Sequence, residues 1–108
     1  MLAVDFYRIH PDQVLRLKEW MAEITTRGNE ALETYVQEGV RHEMGYLIEG
    51  REGPMLVWVM EVHDRDEATH AFLNSKLPID LQHKQVMRQV VAEWIKPQVL
   101  YECLVSNV

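Results

Sequence analysis

An α+β sandwich, with helices laid on one face of an antiparallel sheet, is the fold class this sequence predicts, and three observations predict it. Extended and helical periodicities alternate along the chain, with no internal repeat and no low-complexity stretch. A polar turn over residues 50–54, with glycines at both Gly50 and Gly53, leads into the apolar run at residues 55–63, which reads as a hairpin. The sequence is 108 residues long, enough for a single domain over residues 1–108 with one core.

Each element has its own local reason. Residues 2–9 form a strand with Val4, Phe6 and Ile9 as β-favouring members, and His10-Pro11-Asp12 ends it because proline cannot continue a ladder. Pro11 or Asp12 starts a helix. Val14, Leu17, Met21 and Ile24 recur at helical steps, and the stripe continues through Ala31, Leu32, Tyr35 and Val36, with Gly28 as the place where the helix kinks or splits. Gly39 closes that helix, and residues 41–49 form the second strand. The third strand follows the 50–54 turn. Asp64 and the acidic turn after it open a helix whose apolar side is Ala68, Ala71 and Phe72. Beyond a break at 75–78, Asp80 caps a further helix with the stripe Val86, Met87, Val90, Val91 and Trp94, ending before Pro97. Residues 99–105 make the last strand, burying Cys103.

Strand, helix, strand, strand, helix, strand is the order of a ferredoxin-like βαββαβ sandwich, a four-stranded antiparallel sheet with helices on one face. Along residues 55–63 both strand faces are mainly apolar, Leu56, Trp58, Met60 and Val62 on one and Met55, Val57 and Val59 on the other. A sheet apolar on both sides needs two covers. The helices supply one, and sheet-to-sheet packing in a homodimer supplies the other.

Composition narrows the partners. With 11 basic and 17 acidic side chains the formal charge is −6, so nucleic acid and anionic membrane surfaces are not expected as partners. The longest apolar run, Met55 to Met60, falls far short of the roughly 20 residues a membrane span requires. Asp5 and Arg8 interrupt the opening stretch, so no leader is read there. Cys103 is the single cysteine, which fits a reducing, cytoplasmic setting.

Several segments carry a resemblance. His10-Pro-Asp-Gln at the first helix and Gly53-Pro-Met-Leu-Val-Trp-Val-Met-Glu-Val62 as the third strand are similar to the dimeric α/β-barrel superfamily, whose members include sugar mutarotases, antibiotic-type monooxygenases and haem-degrading enzymes. The chain resembles more closely a family of small bacterial proteins of uncharacterised function, through Glu19-Trp20, Glu38-Gly39-Val40 with Glu43, and Pro78-Ile-Asp-Leu-Gln-His83. The resemblance implies a homodimer joined through its sheets. Trp58 followed by His70 is similar to the haem-degrading branch, but the first strand lacks that branch's asparagine.

Three residues are the candidate catalytic groups. If Glu49 pairs with Met55, Glu43 falls opposite Glu61 on one sheet face, with Gly45 opposite Val59. Opposed carboxylates repel, so such a pair takes a cation, a shared proton or a metal, which suits proton transfer or a divalent metal site. His83 lies one helical step from Val86 and Met87 and turns toward the same apolar stripe, either as a hydrogen-bonded core residue or as a general acid. Tyr46, Trp58, His63 and Trp20 are candidate ligand-binding residues, with an aromatic core as their alternative role. No helical histidine pair, phosphate loop or nucleophile elbow occurs, so neither a metal nor a cofactor is expected. The expected function is cofactor-free acid/base isomerisation or mutarotation of a small polar metabolite, with Glu43 or Glu61 as base and His83 as acid. The alternative is a non-catalytic ligand-binding or interaction module.

Overall fold

The computed structural model describes residues 1–105. It places β1 at Leu2–Ile9, a 3-10 turn at Pro11–Gln13, α1 at Val14–Thr26, α2 at Gly28–Glu38, β2 at Val40–Gly50, β3 at Gly53–Val62, α3 at Arg65–Asn74, α4 at Pro78–Val90 and β4 at Val91–Ile95. The fold is mixed α+β. The four strands form one sheet in the order β2-β3-β1-β4, each antiparallel to its neighbours.

Alternation in the strands decides which face the helices cover. Ala3, Asp5 and Ile9 of β1 and Leu56 and Val62 of β3 are buried, and each has the same parity in the paired strands. Ile9 and Leu56 pack with Leu17 and Trp20 of α1, Ala31 of α2, and Ile79, Val86 and Val90 of α4. A smaller cluster joins Ala3, Val40 and Val62 to Ala68 of α3. The opposite parity, including Val4, Phe6, Met44, Tyr46, Ile48, Val57 and Val59, faces away from all four helices.

Helix ends follow local chemistry. Gly28 does mark the division between α1 and α2; the break itself sits at Arg27, whose N–H returns to the Ile24 carbonyl at 3.0 Å. The Arg27 guanidinium reaches Glu23, Glu30 and Gln82 and lies 5.9 Å over the Trp20 ring, so it ties the two helices to α4. Gly39 takes φ 70°, the left-handed cap that glycine adopts without a Cβ penalty. Asp64 caps α3 by accepting from the Glu67 N–H at 2.8 Å.

Three expectations are corrected. The last strand is β4 at Val91–Ile95, and residues 99–105 form no regular element, leaving Cys103 exposed. Helical periodicity carried the stripe through Val91 to Trp94, but the free edge of β1 offers unpaired backbone groups, and β-branched Val90-Val91 turns there directly from helix to strand. The hairpin register is the second. Gly53 adopts φ 99° and the connection shortens to Arg51-Glu52, so Glu49 pairs with Pro54, Gly45 with Trp58 and Glu43 with Met60. Glu61 therefore faces His42 across a bulge at Arg41, on the sheet face opposite to Glu43. The third concerns Asp80, which lies inside the first turn of a helix that begins at Pro78.

Candidate functional site

Between the helices and the covered face of the sheet lies a cavity of about 520 Å3. Tyr7 and Trp94 from neighbouring sheet strands, Trp58 from β3 and Phe72 from α3 give it aromatic walls. A second hollow, about 420 Å3, extends over Gly45, and Ile24, Tyr35, Glu43 and Trp58 line both spaces and so stand between them.

His83 is held before any ligand arrives. The buried Trp20 donates its indole N–H to His83 Nδ1 at 2.8 Å, and the ring sits among Trp20, Trp58 and Phe72 at centroid distances of 6.1, 5.7 and 5.7 Å. Burial lowers its pKa to about 4, with Asp80 acting weakly in the opposite sense, so the imidazole is neutral at physiological pH. Because Nδ1 accepts, the ring proton is on Nε2, which has no partner among the described residues and opens to the cavity that His83 lines. His83 is thus a neutral hydrogen-bond donor.

Glu43 reaches the same cavity from β2. Burial, and then the charge of Glu38, raise its pKa to about 8, while the Tyr35 hydroxyl, near enough to donate toward it, works against the shift. Burial pushes Tyr35 and Tyr7 up to about 12, helped in each case by a neighbouring acid, so both remain protonated donors. Glu43 is mainly a carboxylic acid at pH 7 and becomes a base above about pH 8.

A carboxyl and hydroxyl chain lies beside it. Thr34 Oγ is 2.8 Å from Glu38 Oε1 and 2.8 and 2.7 Å from the two oxygens of Asp80, and Ser75 Oγ donates to Asp80 Oδ2. One threonine hydroxyl carries one proton and cannot donate to carboxyls on both sides at once. Burial raises Glu38 to about 7, so Glu38 carries a proton for part of the time at neutrality and can then donate to Thr34. On the other wall Arg65 donates to the buried Asp5.

The candidate residues divide between two places. Glu43, His83 and Trp58 line the cavity, and Trp20 acts behind it by orienting His83. Glu61 lies 3.7 Å from the N-terminal ammonium on the open face, Tyr46 is on that face too with its hydroxyl on Met44 Sδ, and His63 is exposed beyond β3. Sequence reasoning passed over Thr34, Glu38, Asp80, Asp5 and Arg65 as site residues. Glu38 shares the Tyr35 side of α2 at three residues' spacing, a signal that was present; Asp5 paired with Arg65 had none, because the two come together only through packing of α3 on β1. Among the described residues no group of three or more His, Cys, Asp or Glu is placed to hold a metal ion, and no helix is long and apolar enough to cross a membrane.

Fold and cavity together define a small α+β protein with a titratable chamber between helices and sheet. The chain belongs to a family of unknown function, DUF6176, whose model matches residues 3–106. No curated protein and no solved structure matches it.

Proposed function

We propose that this chain is a ferredoxin-like, dimeric α/β-barrel protein whose cavity binds a small polar metabolite and moves a proton on it without a cofactor, as an isomerase or mutarotase does. The observation that carries this reading is the convergence of Glu43 and His83, titrating on opposite sides of neutrality, on one cavity of about 520 Å3. Ionised Glu43 would take the proton and His83 Nε2–H would stabilise the oxygen on which charge develops. A ligand-binding module without turnover is the second reading. It is favoured by the fact that at pH 7 Glu43 and His83 both present protons.

The test is a screen of small sugars and hydroxy acids against the wild type, Glu43→Gln and His83→Ala. Turnover lost in both variants, with binding kept in Glu43→Gln, is the expected result; binding without turnover in all three selects the second reading. In His83→Ala the Trp20 indole N–H loses its acceptor, so Trp20→Phe is added to that variant to keep the core satisfied.

The sheet order, with β3 between β1 and β2 and β1 between β3 and β4, supports the ferredoxin-like reading. The open face supports the homodimer: Tyr46 is 48% and Ile48 52% exposed, beside Phe6, Met44, Val57 and Val59. A second copy laid sheet to sheet would cover this surface and bring Tyr46 and Glu61 to the interface. Val57 lies between Phe6 and Tyr46 in the middle of that face. We expect light scattering to give twice 12.7 kDa for the wild type and 12.7 kDa for Val57→Glu, in which like charges would meet across the interface. An unchanged mass for Val57→Glu sinks the sheet-to-sheet arrangement. The lone cysteine and acidic charge support the cytoplasm as the compartment.

A further inference from the structure

The charges around the cavity are unequal. Asp5, Glu38, Glu43 and Asp80 reach it from four different elements, while Arg65, the cation among its lining residues, is committed to Asp5. Lys84, the next cationic side chain on α4, turns its ammonium to the carbonyls of Leu73 at 3.0 Å and Ser75 at 3.4 Å and over the Phe72 ring. Asp80 is occupied by Thr34 and Ser75. Among the described residues Glu38 and Glu43 have no cation within salt-bridge distance.

Two carboxyls without a counter-ion among the described residues, in a chamber walled by aromatic rings, suit a positively charged guest. The rings attract a cation through their faces, and the carboxyls give it charge-assisted hydrogen bonds. An anion would be repelled once these groups ionise, and a neutral guest would gain no charge pairing and leave the two acids protonated near neutrality. A separate feature adds the rest of the guest: His83 is partly buried with Nδ1 occupied by Trp20, and its Nε2–H opens to the cavity with no acceptor among the described residues. We propose that the cavity takes a small organic ammonium ion, an amine whose body lies against Trp58 and carries an acceptor oxygen, with Glu38 and Glu43 on the ammonium and His83 Nε2–H on the oxygen. This deepens the small-metabolite reading and rests on the cavity being a ligand site.

Proton linkage follows from the groups facing the two acids. Tyr35, Asp80 and His83 approach them from α2 and α4, and the cationic side chains near them are Arg65 and Lys84. Glu38 and Glu43 carry protons near neutrality, Tyr35 keeps its own up to about 12, and His83 stays neutral down to about 4. Cation uptake therefore expels protons from the two glutamates, and affinity rises with pH between 6 and 8.5.

Three probes of one shape separate charge from fit: 2-amino-1-phenylethanol, a cation; 1-phenylethane-1,2-diol, neutral; and mandelate, an anion. Titration calorimetry at pH 8 is expected to show the amine binding at least about tenfold more tightly than the diol, with mandelate not bound. The amine should lose about tenfold in affinity at pH 6, and its binding heat should vary with the ionisation heat of the buffer. Glu43→Gln and Glu38→Gln should each weaken the amine about tenfold or more, and by a larger factor than they change the diol. The wild-type pH profile stands as a test even if a variant fails to fold. Diol or mandelate binding as tightly as the amine overturns the ammonium assignment and leaves the cavity reading standing. No binding by any of the three overturns both.

Discussion

At pH 8.5 the Glu43→Gln protein is expected to be more stable than the wild type, and at pH 5 the two are expected to be nearly equal. The folded-state pKa of Glu43 is about 8 against an ordinary value of 4.5, so the folded protein holds a proton that the unfolded chain has released. A group raised in this way leaves stability intact below pH 4.5 and lowers it progressively as pH climbs to about 8. At about 1.4 kcal/mol per pKa unit, discounted for partial exposure, Glu43 costs on the order of 2–4 kcal/mol at pH 8.5. Glu38, raised to about 7, acts in the same direction. His83 acts in the other: with its pKa lowered to about 4, stability falls as pH drops from about 6.5 toward 4. Urea unfolding at pH 5, 7 and 8.5 checks the sign. A Glu43→Gln protein less stable than the wild type at pH 8.5 refutes the buried-acid assignment.

Asp80→Ala is expected to lower stability by about 3 kcal/mol at pH 7. Asp80 is 3% exposed and accepts from both Thr34 and Ser75, hydroxyls that hold α2 and the approach to α4 against the carboxyl. Removing the acceptor leaves the Ser75 hydroxyl without one in a buried site, at about 1–3 kcal/mol, while Thr34 keeps Glu38 alone; the packing of the lost carboxyl adds to the cost. Asp80→Asn keeps the shape and restores part of the loss. The urea midpoint should fall with little change in slope, since the folded and unfolded surfaces stay the same. A midpoint within experimental error of the wild type would show that water takes over the role of Asp80.

What the sequence conveyed, and what it did not, follows the range of the interactions involved. The first strand, the split at Gly28 and the stop at Gly39 were legible, because each depends on neighbours within a turn or two. The fourth strand was not, since Val90, Val91 and Trp94 satisfy a helical stripe as well as they satisfy a strand. The free edge of β1 decides between the two, and that edge lies about eighty positions away in the chain. The hairpin was legible and its register was not. A one-residue change in the loop at Gly53 carries Glu61 to the other side of the sheet, so the carboxylate pair dissolved although both glutamates had been noticed. Glu43 and His83 survived as neighbours of one cavity through burial rather than through pairing. The Thr34, Glu38 and Asp80 chain was hidden because threonine and glutamate on a helix ordinarily face solvent, and only the packing of α2 beside α4 makes them a buried group.

Gly45 sits opposite Trp58, and a Cβ placed there would lie 2.9 Å from the indole ring. The bare backbone at position 45 is therefore what lets the Trp58 ring lie where it does. In a homologue that acquires any side chain at position 45, the residue at 58 must shrink or rotate away, and the partition between the two hollows goes with it. The dependence runs one way: a side chain at position 45 displaces the Trp58 ring and so reshapes the chamber, whereas a smaller residue at 58 leaves Gly45 unconstrained.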